Sequence, residues 1–448
     1  MAQIETATQA PETASPAPQS PPGNVRWLIC ALLFFGTAIN YIDRQILGIL
    51  KPALAHDLHW TEGDYANIVA AFQFTYAFGY LFGGRLMDRF GPKKAYPVTA
   101  VIWSITAAAH GAVRSVTAFI AARGVLGLSE GGNFPAAIKV VGEWFPIKDR
   151  ALATGIFNSA SNVGAILCPL FVPILAVKLG WQAAFFITGA LGLIWVVFWV
   201  MTYDAPEKHR GLTAAEREYI EEGRVVVNEP PVSWAKLLSH KANWAYMIAG
   251  ILAGPVWWFY LFWIPDFLQK KFHLTLIETG NYTAVIYAIS IFGSVAGGWL
   301  AAFLMNRGWS LNKARKVSLL VPAVCVLPVC MAASFQDIWL SVLVVGIAAA
   351  AHQAWSANLF TFVSDIMPRS AVSSVVGLGG FTGGIAGGFI TEGIGKAVTD
   401  TGTFVIPFAW ACSMYVLSLL FIQILVPRIE PDQGLHLTRL DLPDGEAG

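Results

Sequence analysis

The chain has 448 residues, 56% of them hydrophobic and 13% charged, with a formal net charge of +1. A soluble domain of average composition carries about 25% charged residues, so an ordinary soluble protein is excluded. Near-neutrality leaves no basic footprint for a nucleic-acid partner.

Residues 1–24 are rich in Pro, Ala, Ser, Thr and Gln, with no basic stretch leading into a short apolar core. That composition predicts a disordered cytoplasmic tail rather than a cleaved signal. Twelve apolar runs follow, at 25–50, 64–86, 95–113, 117–141, 150–176, 181–202, 243–266, 280–303, 316–335, 337–361, 370–396 and 402–427. Each approaches the ~20 residues a helix needs to cross the hydrocarbon core. The expected fold class is an all-α membrane protein of twelve transmembrane helices, embedded in a lipid bilayer. Arg85, Arg89, Lys93 and Lys94 follow the second run, Lys148 and Arg150 the fourth, and Arg307, Lys313, Arg315 and Lys316 the eighth. The alternate loops carry only scattered positives such as Lys51, Arg114 and Lys178. The positive-inside rule then puts the even-numbered runs' ends, and both termini, in the cytoplasm.

A polar loop at 203–242, holding Asp204, Pro206, Glu207 and Lys208, divides the runs into six-helix bundles at 25–202 and 243–427, with a tail at 428–448. Thr213 and Glu216 have the spacing of a capping box for a surface helix over Ala214 to Arg224. Two six-helix halves suggest an internal repeat with a site between them. Gly83-Gly84 near the end of the second run is echoed by Gly297-Gly298 in the eighth.

Four charges fall inside apolar runs: Asp43 and Arg44 in the first, Arg123 and Glu130 in the fourth. A charge at bilayer depth costs several kcal/mol unless it pairs or faces water, so each is a functional-site candidate. Arg123 and Glu130 are seven residues apart and therefore share one helix face about 10 Å apart. With the first run directed outward and the fourth inward, Arg123 lies near the depth of Asp43 and Glu130 deeper. Two acids able to bind protons and two arginines able to bind an anion can then share one cavity. The plainer alternative is a structural ion-pair network between helices.

Other patterns carry weaker signals. Gly127-Leu128-Ser129-Glu130-Gly131 matches the G-x-S-x-G elbow of hydrolases but lacks its strand–turn–helix setting. Gly379, Gly383 and Gly387, beside Gly380, Gly384 and Gly388, form two stripes at spacing four that suit close helix packing, a ligand's approach or a bend. His352, mid-run, can be a structural hydrogen-bonder, a substrate contact or a titrating group. Trp181 and Trp263 are expected as interfacial anchors. Asn281-Tyr282-Thr283 is a glycosylation sequon without force in a bacterial protein. Five cysteines (Cys30, Cys168, Cys325, Cys330 and Cys412), odd in number and in apolar stretches, argue against a disulfide framework. A membrane enzyme should show a metal-ligand cluster or a loop dyad, and the sequence offers neither.

The loop after the second run is the most specific motif. Gly84, Asp88, Arg89, Gly91, Lys93 and Lys94 fit G-x-x-x-D-R-x-G-x-K-K: Gly84 would permit close helix approach, Asp88 could accept from a helix N-terminus or an arginine, and the basic run would anchor at the inner headgroups. This closely resembles the signature loop of the major facilitator superfamily, and the twelve-run, six-plus-six layout resembles its fold. The second-half copy is degenerate, with Ala302 at the Asp position. Within the superfamily, Asn40-Tyr41-Ile42-Asp43-Arg44 with Arg123 and Glu130 resembles the anion:cation symporter family. His352-Gln353-Ala354-Trp355-Ser356-Ala357-Asn358, Ser364-Asp365-Ile366-Met367-Pro368 and the run Gly377 to Gly388 resemble its hexuronate branch more than its galactonate branch.

The resemblance implies a transporter, not an enzyme, acting as a monomer in the bacterial cytoplasmic (inner) membrane. Its substrate would be a small organic anion, a sugar-acid monocarboxylate such as a hexuronate, and it would need no cofactor beyond protons. Asp43, Glu130 and Arg123 would couple protons, and Arg44 would grip the carboxylate. Tyr41, Tyr76, Asn158, Ser161, Asn162, His352, Gln353, Ser356 and Asn358 could bind sugar hydroxyls, with Trp355 a flat face for the ring. Runner-up substrates are aldonates, aldarates, and sialic or aromatic acids. A transport-inactive sensor on the same fold is the competing class.

Overall fold

The computed structural model describes residues 23–221, 234–367 and 369–429. Most of the expected tails, linker residues 222–233 and Pro368 lie outside the described residues, as do the side chains of Asp88, Lys148, Arg150, Ala302 and Ser364. Every regular element described is helical. Before the linker run α1 (Val25–Leu58), α2 (Glu62–Phe90), α3 (Pro92–Ala109), α4 (Val116–Glu130), α5 (Asn133–Trp144), α6 (Ile147–Leu179) and α7 (Trp181–Thr202). The linker holds α8 (Ala214–Glu221) and α9 (Trp234–Ser239). Beyond it run α10 (Lys241–Phe272), α11 (Leu276–Asn306), α12 (Leu311–Val326), α13 (Ile338–Ile366), α14 (Arg369–Thr401) and α15 (Val405–Leu425).

Among the described residues, nine helices are long and apolar enough to cross a membrane. α2, α3 and the α4–α5 pair fall outside that set. The run expected at 117–141 is not one helix but breaks at Gly131–Gly132. The break lies where α2 passes at backbone distance: a Cβ on Gly131 would sit 2.5 Å from the Tyr80 nitrogen, and one on Gly83 2.8 Å from the Gly132 Cα. Gly84, one residue further round α2, meets nothing within 4 Å, so Gly83 and not Gly84 is the close-approach glycine. The ninth run ends in a 3₁₀ turn, Leu327–Met331, where Pro328 lacks the N–H that would continue α12.

Helix ends reveal a repeat that composition hides. α1 ends on His59 and α10 on His273, both left-handed, at φ 55° and 52°. Two residues on, Thr61 and Thr275 open α2 and α11 with complete capping boxes closed by Asp64 and Glu278. The spacing from His59 to His273 equals that from Gly83 to Gly297, so one repeat unit carries both pairs. Thr213 keeps half of its expected box, accepting from the Glu216 N–H at 3.2 Å. The Glu216 carboxylate does not return to Thr213. Buried, it accepts from the Val25 and Arg26 backbone N–H groups at 3.4 and 3.1 Å and from the Arg26 guanidinium at 3.2 Å. The linker thus caps α1, placing a carboxylate at the positive end of its dipole.

Helices before the linker pack on helices after it through α1 with α10, α2 with α14 and α6 with α11. At the end of α1 remote from the linker, Lys51 Nζ lies 2.5 Å from Asp266 and 2.6 Å from Glu62. Lys270 pairs with the same two carboxylates. Lys51 is therefore no loop positive, as its position in the sequence suggested. It is 2% exposed and sits over the Tyr65 and Trp263 rings at 4.7 and 4.8 Å. Trp263 and Trp181, expected at the membrane interface, are buried as well. Removing one member of a buried ion pair strands the other. Asp266→Asn should therefore cost on the order of 3 kcal/mol, read as a lower melting temperature in detergent. Lys51→Met with Asp266→Leu should recover most of the loss, and an unchanged melting point in Asp266→Asn would contradict the assignment.

Candidate functional site

One cavity lies between the two sets of helices. Tyr41, Arg44, Tyr76 and Tyr80 line one wall, and Tyr246, Trp257, Trp258, His352, Trp355 and Ser356 the other. α14 closes it with Gly379, Gly380, Gly383 and Gly384. These glycines also pack: a Cβ on Gly383 would lie 3.1 Å from the Gly250 oxygen of α10, and one on Gly384 2.8 Å from Ala77 of α2. The two stripes therefore bring α14 onto both halves and present bare backbone to the cavity. Beyond it, the tier of Lys51, Glu62, Asp266 and Lys270 seals the end remote from the linker.

Arg44 brings a charged side chain to the cavity wall. Its Nε donates to Glu130 Oε2 at 3.2 Å and its Nη2 to Asn40 Oδ1 at 2.8 Å. Tyr41 and Tyr76 flank the guanidinium with ring centroids 4.5 and 4.6 Å away, and Trp258 lies at 5.3 Å. An aromatic cage of this kind suits a planar cation and fixes its orientation. The guanidinium borders the cavity.

Behind Arg44, Arg123 is fully buried over Phe72 and donates from Nη1 to the Arg44 carbonyl at 3.3 Å. Both Asp43 oxygens and Glu130 Oε1 lack hydrogen-bond partners among the described residues. Arg44 and Glu130 form an ion pair at 3.2 Å, whereas Asp43 and Arg123 form none among the described residues. The four charges do gather in one buried group. Glu130 holds Arg44, and among the described residues Asp43 lies outside any ion pair.

Six expected ligands line the cavity: Tyr41, Arg44, Tyr76, His352, Trp355 and Ser356. Asn158, Ser161, Asn162, Gln353 and Asn358 do not. Gln353 Nε2 donates to Asn162 Oδ1 at 2.8 Å, tying α13 to α6. Ser161 donates to the Asn158 carbonyl, and Asn158 is exposed. Asn358 donates to the Gly297 and Ala354 carbonyls, both at 2.9 Å, where α11 and α13 meet. Sequence reasoning missed Trp257 and Trp258; the available signal was their spacing of five and six residues ahead of Trp263 on one helix.

At the linker end, Gly91 turns the chain at φ 75° and Lys93 pairs with Asp204. The Lys93 ammonium holds the Asp204 carboxyl below the usual carboxylate range. Arg89 and Lys94 are exposed, with the Arg89 guanidinium 5.4 Å from the Phe90 ring.

A buried charge cluster beside a cavity, enclosed by two helical sets built on one repeat, is the layout of a multi-pass membrane transporter. The chain belongs to the major facilitator superfamily, whose family model matches residues 33–391. It is 30% identical over 421 residues to the hexuronate transporter of Escherichia coli (strain K12), covering 92% of this chain and 97% of that one. It is 31% identical over 280 residues to the galacturonate transporter of Dickeya chrysanthemi, covering 62% and 81%. The solved D-xylose-proton symporter shares the fold at TM-score 0.71 and 14% identity, covering 90% of this chain and 98% of that one.

Proposed function

We propose that the protein is a proton-coupled symporter that carries a sugar-acid monocarboxylate, a hexuronate such as glucuronate or galacturonate, into the cell. It would work as a monomer of twelve transmembrane helices in the bacterial cytoplasmic membrane, with both termini inside. The Lys51 tier then faces outward and closes that side. The observation that carries the reading is Arg44: a buried guanidinium caged by aromatic rings, presented to the cavity and restrained by Glu130.

From the outer side, Asp43 and Glu130 take up protons. Glu130 thereby loosens its hold on Arg44, which turns both amino groups to the substrate carboxylate as a planar fork. Tyr41, Tyr76 and Ser356 meet hydroxyls, and Trp257, Trp258 and Trp355 offer flat faces to the sugar ring. With its charges neutralised, the loaded site can pass between the two halves as they rock, and both acids release their protons inside. The names of the hexuronate and galacturonate transporters among its relatives support the substrate class.

A competition panel of sugar acids against neutral sugars tests this. Glucuronate and galacturonate should displace one another and raise the melting temperature of the purified protein, whereas glucose should do neither. Equal effects from glucose would remove the carboxylate, and Arg44, from recognition.

A further inference from the structure

We propose that Tyr415 is a positioning residue that makes Ser356 a hydrogen-bond donor toward the substrate, acting through His352. The proposal rests on the sugar-acid reading of the cavity and adds a specificity determinant from α15, a helix with no residue in the cavity wall.

Tyr415 is fully buried, and its hydroxyl lies 2.7 Å from His352 Nδ1. On the far side of the imidazole, Nε2 lies 3.2 Å from Ser356 Oγ. Trp257 stacks on the ring with centroids 5.2 Å apart at 14°, fixing the plane in which both bonds point. A neutral imidazole has one N–H donor and one acceptor nitrogen, so the proton's position sets the direction of the whole chain. The Tyr415 hydroxyl has no acceptor among the described residues except Nδ1. An O–H buried without an acceptor pays its desolvation uncompensated, so it donates to Nδ1. His352 then carries its proton on Nε2 and donates to Ser356 Oγ. Ser356 has its own O–H left, and the surface it faces is the cavity. The structure therefore assigns Ser356 to a substrate oxygen that accepts.

Without the tyrosine hydroxyl the order can reverse. In Tyr415→Phe neither nitrogen is committed, since Nε2–H leaves Nδ1 without a donor and Nδ1–H is a donor without an acceptor; both tautomers are populated, and Ser356 donates to Nε2 in one of them and then only accepts from the cavity. Fluorine replaces a sugar hydroxyl with a group that accepts weakly and cannot donate, whereas a deoxy position does neither, so the pair reads the polarity of the site.

Two measurements on the full-length protein test this. Nitrogen NMR of histidine-labelled protein, with His352 assigned by its loss in His352→Gln, should show the Nε2–H tautomer in the wild type and a mixture of Nε2–H and Nδ1–H in Tyr415→Phe. Binding of monofluoro and monodeoxy glucuronates should show one ring position where the wild type loses about tenfold for the deoxy compound, the size of one neutral hydrogen bond, and much less for the fluoro compound. In Tyr415→Phe the fluoro compound should lose part of its advantage over the deoxy compound at that position. A merely structural Tyr415 would weaken all analogues alike and leave their ratio unchanged, which overturns the proposal. An Nδ1–H tautomer in the wild type overturns it without any ligand, so failure of the relay is distinct from failure of the sugar-acid reading, which would show as no glucuronate binding at all.

Discussion

Glu130→Gln is expected to bind substrate and exchange it between equal pools on the two sides of a membrane, yet to lose accumulation driven by a proton gradient. Glu130 takes the Arg44 Nε and has one carboxylate oxygen without a partner among the described residues. Glutamine mimics its protonated form: it keeps an oxygen for Arg44 but removes the charge that competes with the substrate carboxylate. Arg44 is then permanently available, and no proton travels at that site. A merely structural Glu130 forecasts something else. Breaking a buried ion pair would cost about 3–5 kcal/mol of folding stability, and binding, exchange and accumulation would fall together. Full proton-driven accumulation by a well-folded Glu130→Gln protein would rule out the carrier role and leave Asp43 as the coupling acid.

Arg44→Lys is expected to weaken sugar-acid binding by on the order of 1–3 kcal/mol, roughly 5–150-fold, while conserving charge. Three features depend on the planar group. Nε reaches Glu130 while Nη2 reaches Asn40. Tyr41 and Tyr76 lie against the guanidinium. The guanidinium also borders the cavity. An ammonium is a point charge without that fork and is more strongly hydrated, so it can neither hold both protein acceptors in this geometry nor grip a carboxylate bidentately. Calorimetric titration with glucuronate measures the loss. A wild-type affinity in Arg44→Lys would mean that charge alone recognises the anion.

The four buried charges were legible in the sequence because Asp43, Arg44, Arg123 and Glu130 interrupt apolar runs, where a charge has few innocent explanations. That Asp43 would stand outside any ion pair among the described residues was not. Which arginine meets which acid depends on helix rotation and on the break at Gly131–Gly132, and a glycine that breaks a helix looks the same in sequence as one that packs it. Lys51 was misread because it follows an apolar run and precedes a proline, the pattern of a loop, whereas α1 continues through Pro52 to Leu58. Asn158, Ser161 and Asn162 are polar residues on a helix whose inward face spacing alone could not fix; Asn162 spends its side chain on Gln353 across the halves. The repeat was visible all along in His59-x-Thr61-x-x-Asp64 and His273-x-Thr275-x-x-Glu278, but only turn geometry gives those residues a reason to recur.

In the proposed cycle a proton moves with a sugar acid. Purified protein in liposomes, loaded with buffer and given labelled glucuronate outside, allows pH and sodium gradients to be imposed separately. An inward proton gradient should drive uptake above the external concentration, a proton-conducting ionophore should abolish that excess, and a sodium gradient at equal pH should add nothing. Accumulation driven by sodium alone, or unaffected by the ionophore, would contradict the account.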